Sequence, residues 1–158
     1  MLDVVIVGGG PAGLSAALLL GRARRDVLLC DSGQPRNAGV HAMHGFLSRD
    51  GMDPAALRQV AHDQLATYPT VQVRDVKVEA VTPLADQFTV ALADGTSSQA
   101  RRLLLATGVA DQLPPIDGLA ELWAVGCSTA PTATAGRSAT SPWPSWPPTP
   151  ATFSSRCT

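Results

Sequence analysis

The segment Gly8-Gly9-Gly10-Pro11-Ala12-Gly13 constrains this chain more than any other, because of what stands on either side of it. Before it, Val4-Val5-Ile6-Val7 is a short apolar run rich in β-branched residues, the pattern of a strand buried on both faces. After it, Pro11 to about Ala23 reads as a helix, and Val27-Leu28-Leu29-Cys30 as a second buried strand ending on Asp31. A lone G-x-G-x-x-G is weak evidence of anything. Set between a strand and a helix, with an acid at the end of the next strand, it predicts a dinucleotide-binding βαβ unit.

Each position has a chemical reason. Gly8 permits the tight strand-to-helix turn, Gly10 lets the backbone approach a pyrophosphate, and Gly13 lets the helix pack close to the strand. Pro11 suits the first helical turn, where its missing N–H costs nothing, and Ala12 follows within that turn. The helix N-terminus offers free N–H groups and a partial positive charge to a diphosphate. Asp31 follows Gly13 by roughly the 20 residues expected of an acid that binds a ribose 2′-OH. Such a carboxylate repels a 2′-phosphate, so the expected ligand carries a free adenosine ribose, as FAD and NAD do.

Composition narrows the class. The chain has 158 residues, 45% hydrophobic and 16% charged, with a formal net charge of −1. That describes a globular domain with a real core and gives no footprint for nucleic acid or an anionic membrane. Arg22, Arg24 and Arg25 cluster where the first helix ends and read as cations complementing its dipole. The longest apolar stretch, Ala12 to Leu20, is too short to span a bilayer. The N-terminus runs straight into a strand with no leader-peptide pattern, so a cytoplasmic location is expected. Cys30, Cys127 and Cys157 have no C-x-x-C or metal spacing, and Cys30 reads as an inert core thiol. His41 and His44 lie near Asp50 but lack further ligands at suitable spacing, so no metal is expected.

Beyond Asp31, Ser32 to Gly39 is a loop of turn formers, and 41–51 continues it without a clear period. Asp53-Pro54 then predicts an N-cap with proline at the first helical position. Leu57, Val60, Ala61 and Leu65 carry the apolar stripe of the helix that follows. Residues 71–99 read as an antiparallel meander with a hairpin turn at Asp94-Gly95. Leu103-Leu104-Leu105 reads as a fully buried strand returning to the parallel sheet and stopping at Thr107-Gly108.

Four segments together, Val7 to Leu14, Cys30 to Asn37, His44 to Gly51 and Leu104 to Val109, resemble the FAD-binding domain of thioredoxin reductase-like flavoproteins. The resemblance covers residues 1 to about 123. It implies an α/β, Rossmann-like FAD/NAD(P)-binding fold: a parallel sheet with helices and an antiparallel β-meander. It also implies that Ala106, Thr107 and Gly108 lie against the flavin, and that Arg36 and Asn37 approach the diphosphate and isoalloxazine. Backbone groups at Val76, with Lys77, would meet the adenine. In such proteins NAD(P)H reduces FAD, and the flavin passes electrons to a C-x-x-C disulfide and on to a thioredoxin-like partner.

The resemblance stops in the tail, dividing the chain into 1–122 and 123–158. From residue 124 onward there is no acid, and six of the 13 prolines lie there, a composition that predicts disorder. The genetic code offers a sharper reading. Joining the third base of each codon from Gly126 with the first two of the next allows V-F-H-C-P-Y-C-H-G-W-E-V-R-D, which resembles the family's redox segment with its dithiol. A frameshift near Trp123 is therefore expected, leaving an incomplete domain that lacks the NAD(P)H site and the later part of the FAD domain. Such a chain should not catalyse the family reaction. The other reading is a non-catalytic module that holds adenine nucleotide, or that pairs through its open sheet with another polypeptide or a second copy.

Overall fold

The computed structural model describes residues 1–122, with side chains to residue 120. The predicted βαβ unit forms where the sequence places it: β1 is Leu2–Val7, α1 Pro11–Arg22 and β2 Val27–Asp31. The helix α2, Pro54–Leu65, starts at the predicted cap, where the Asp53 carboxylate accepts from the amides of Ala55 at 2.6 Å and Ala56 at 3.3 Å. Five further elements follow: β3 (Val71–Asp75), β4 (Val78–Pro83), β5 (Phe88–Leu92), β6 (Ser97–Leu105) and the short α3 (Leu119–Leu122).

All six strands belong to one sheet in the order β3-β2-β1-β6-β5-β4. This corrects the expected meander in one respect. Val71–Asp75 is not part of it but pairs parallel with β2, Val27 opposite Val71 and Leu29 opposite Val73. The cause is α2, which makes β2-α2-β3 a crossover unit, and a crossover connection delivers its second strand parallel to the first. The meander is β4, β5 and β6 alone. β6 serves both halves of the sheet. Its first residues pair antiparallel with β5, Ala91 opposite Ser97, and its last pair parallel with β1, Val7 opposite Leu105. The end of β6 is not fully buried as its leucine run predicts: Leu103 and Leu104 are half-buried and Leu105 is exposed.

Alternation along the parallel strands sends side chains to two cores. Ile6, Val27 and Leu29 pack with Leu14 and Ala17 of α1 and Leu65 of α2. Val5, Leu28 and Cys30 point the other way and share a core with Val90 and Leu92 of β5, so the meander folds back over that face. Val5, Ile6, Val27 and Leu29 are fully excluded from solvent. Burying a side chain of this size contributes about 1.5–3 kcal/mol each.

A polar clamp holds the folded-back hairpin. Arg74 of β3 pairs with Asp94 at the β5–β6 turn, and Asp94 also accepts from the Thr96 hydroxyl at 2.6 Å and the Thr96 amide at 3.0 Å. The Thr96 hydrogen bonds, helped by the Arg74 charge, hold the Asp94 carboxyl below its ordinary value. A depressed carboxyl stabilises the fold above its unfolded value of about 4, and that stabilisation is lost as pH falls through the lower folded value. Thermal melts of the wild type and Asp94→Asn should therefore differ at neutral pH and converge as the solution is acidified below about 4. A gap that persists in acid would refute the clamp.

Candidate functional site

The predicted site residues gather at the carboxyl ends of the four parallel strands, the edge where open α/β sheets bind ligands. β1 delivers the glycine turn, β2 ends on Asp31, β3 runs out towards Val76, and β6 leads into Ala106-Thr107-Gly108. The sheet order puts β1 between β2 and β6, so the turn lies between the two loops that leave those strands.

Gly8 is pinned from both sides. Its amide donates to the Cys30 carbonyl at 2.8 Å, while the Ala106 amide donates to the Val7 carbonyl at 2.8 Å. Its φ is +110°, and a Cβ there would lie 2.3 Å from the Ala106 oxygen. Only glycine fits both the conformation and the space. A Cβ on Gly13 would stand 1.9 Å from the Gly8 oxygen, which confirms the close helix–strand contact expected of that position. Gly10 differs: nothing lies within 4 Å of where its Cβ would be, so its exposed flank is open to a ligand. It is the N-cap of α1 and has no side-chain cap, with Pro11 at N1. Pro11 and Ala12 are exposed, and the uncapped first turn leaves its amides to an anion.

Asp31 is half-buried at the end of β2, and its carboxylate lies over Gly9, where a Cβ would come 2.5 Å from Oδ2. Its Oδ1 accepts from the Gly33 amide at 3.3 Å. Gly9 thus lies directly under the Asp31 side chain, at a position that the motif leaves unspecified. Ala106 is partly buried and packs into the helix-side core, while Thr107 and Gly108 are exposed.

The remaining positions divide. Arg36 crosses to the far lip, where its Nε and Nη2 each donate to Asp111 at 2.8 Å. These hydrogen bonds and the carboxylate charge push the guanidinium above its ordinary pKa. Asn37 faces α2 instead, its Oδ1 accepting from Arg58 at 3.3 Å. Val76 and Lys77 lie in the link between β3 and β4 rather than in a meander strand. The Val76 amide donates to Arg74 and the Lys77 carbonyl accepts from Ala93, so both groups are engaged within the fold. Asp111 was not marked by the sequence, since only its opposite charge to Arg36, 75 positions away, could signal it.

Elsewhere, His44 approaches Asp50 at 3.5 Å on an exposed loop. Cys30 is a free, buried thiol, and burial raises its pKa while the nearby Arg74 charge pulls the other way. A cleft of about 500 Å³ beside the starts of β1 and β6, lined by Met1, Leu2, Gln72 and Ser98 among others, lies at the opposite end of these strands from the glycine turn. Among the described residues no helix is long and apolar enough to cross a membrane. Cys127, Cys157 and the predicted disordered, out-of-frame tail lie outside the described residues.

Comparison with known proteins decides the family. The family described as pyridine nucleotide-disulphide oxidoreductase matches residues 2–149. The chain belongs to this family of oxidoreductases. The match reaches beyond the residues on which the resemblance rested. Among the chain's relatives, a thioredoxin reductase of Gibberella zeae is 38% identical over 138 residues, covering 80% of this chain and 40% of the relative. Thioredoxin reductase aclD of Aspergillus oryzae is 40% identical over 126 residues, covering 78% of this chain and 40% of its own length. A crystal structure of an oxidoreductase from Agrobacterium tumefaciens superposes with a TM-score of 0.76 at 44% identity, covering 78% of this chain and 42% of that one. The chain thus spans 31–40% of the length of the first thioredoxin reductases it matches. Its Rossmann-like, thioredoxin reductase-type fold is the one expected from the four sequence segments.

Proposed function

We propose that this chain is the FAD-binding portion of an NAD(P)H-dependent flavoprotein oxidoreductase of the thioredoxin reductase type. The observation that carries the reading is the pairing of an open Gly10 flank with the uncapped start of α1, beside a carboxylate at the end of β2. In this reading the diphosphate lies on the amides of the first α1 turn, with Gly8, Gly10, Pro11, Ala12 and Gly13 shaping the approach. Asp31 accepts hydrogen bonds from the adenosine ribose and repels a 2′-phosphate. Ala106, Thr107 and Gly108 line the flavin side, and Arg36 and Asn37 frame the loop opposite. Val76 marks the adenine end. Bound FAD supplies the chemistry of accepting a hydride and releasing electrons to a disulfide.

In the full-length parent the donor is NAD(P)H and the acceptor a thioredoxin-like disulfide protein. A reducing cytoplasm fits both such a donor and the free thiol of Cys30. The chain alone holds FAD without turnover: among its described residues the one thiol is buried, and a disulfide relay needs an accessible thiolate with a partner. Residues 123–158 are out of frame in this reading, and sequencing the gene across codons 118 to 160 tests it. An uninterrupted frame, with no single-base slip in related DNA, defeats the frameshift.

A second reading is a non-catalytic module that pairs with another polypeptide. It draws support from Leu47, 94% exposed on the loop after β2, from exposed Leu105 at the end of β6, and from exposed Val109 in the segment beyond it. One experiment separates these readings. The purified 158-residue chain is expected to retain flavin absorbance that NADPH does not bleach. Absence of flavin after incubation with FAD overturns the cofactor, and bleaching overturns the claim that the chain alone is inactive.

A further inference from the structure

Among the described residues, a side-chain pair joins the loop after β2 to the segment after β6. Arg36 presents its planar fork to Asp111, with both contacts at 2.8 Å, a bidentate geometry that fixes direction as well as distance. The side chains are 47% and 22% exposed, so the pair contributes little to global stability. Its position is what gives it meaning. The two segments it joins leave β2 and β6, the strands on either side of β1, and between them lies the glycine turn. The Arg36 loop is held on its other side by Arg58 of α2, through Asn37.

We infer that Asp111 is a positioning residue of the nucleotide crevice: by gripping Arg36 it clasps the two loops flanking the glycine turn and slows escape of the dinucleotide bound there. The effect on a ligand rests on the FAD reading above, whereas the clasp itself does not. Arg36 acts in this account through its geometry, because a lysine would keep the charge and lose the fork.

The test uses the whole 158-residue chain, first without cofactor. Amide hydrogen exchange over residues 32–40 and 107–113 should quicken roughly two- to fivefold in Asp111→Asn and in Arg36→Lys, the range an exposed ion pair supports, with Tm unchanged. The charge-swapped double variant, Arg36→Asp with Asp111→Arg, should restore wild-type exchange. In chain loaded with FAD, Asp111→Asn should raise the flavin dissociation rate by a similar factor. Exchange unaltered in Asp111→Asn, or unrestored by the swap, overturns the clasp. Arg36→Lys behaving as wild type overturns it too, since charge alone would then suffice. Loops that loosen in a chain that never takes up flavin would support the clasp and overturn the FAD assignment instead.

Discussion

Gly13→Ala is expected to lose about 3 kcal/mol or more of stability, lowering Tm by roughly 10 °C in a circular-dichroism melt. The added methyl would sit 1.9 Å from the Gly8 oxygen. That atom is backbone, and Gly8 is itself fixed by hydrogen bonds between Val7 and Ala106 and to Cys30, so it cannot step aside cheaply. Relief requires α1 to lift away from β1, which opens the core shared by Ile6, Leu14 and Ala17. Gly10→Ala is the control. It has no neighbour within 4 Å and an N-cap φ of −76°, so it should melt like the wild type while obstructing the diphosphate. If Gly13→Ala melts like the wild type, the helix–strand spacing described above is wrong.

Asp31→Ala is expected to weaken FAD binding roughly 10- to 100-fold, the worth of a hydrogen bond to a charged group. The fold should tolerate the change, because Asp31 is half-buried and, among the described residues, its carboxylate accepts one amide hydrogen bond and lies over the flank of Gly9. Competition makes the test specific. The wild type should prefer ADP to 2′,5′-ADP, and Asp31→Ala should narrow that preference as the carboxylate's repulsion of the 2′-phosphate disappears. Isothermal titration with both nucleotides reads it directly. Equal affinity of Asp31→Ala and wild type for FAD would remove Asp31 from the site.

The parts of the site that the sequence made legible are those written in local order. The turn from Gly8 to Gly13, the cap at Asp53 and the strand ending on Asp31 each depend on neighbours within a few positions. What it hid was tertiary. Gly9 matters because a side chain from β2 lies over it, and Asp111 because a loop 75 positions earlier reaches it. Val71-Gln72-Val73-Arg74 alternates like a meander strand because it lies at the sheet edge, and its parallel pairing comes from the helix before it. Only resemblance places Val76 and Lys77 in a meander strand, and they fall in the link where β3 gives way to β4.

β6 is one unbroken strand from the hairpin at Thr96 to the threshold of Ala106. It works as a ruler: the meander sets its zero and the crevice reads its far mark. Extra residues at the hairpin tip would leave that mark alone. One residue inserted along the strand would displace Ala106 and Thr107 by about 3.3 Å and turn every later side chain to the opposite face. Evolutionary change in length should therefore be permitted at the tip and forbidden along the shaft.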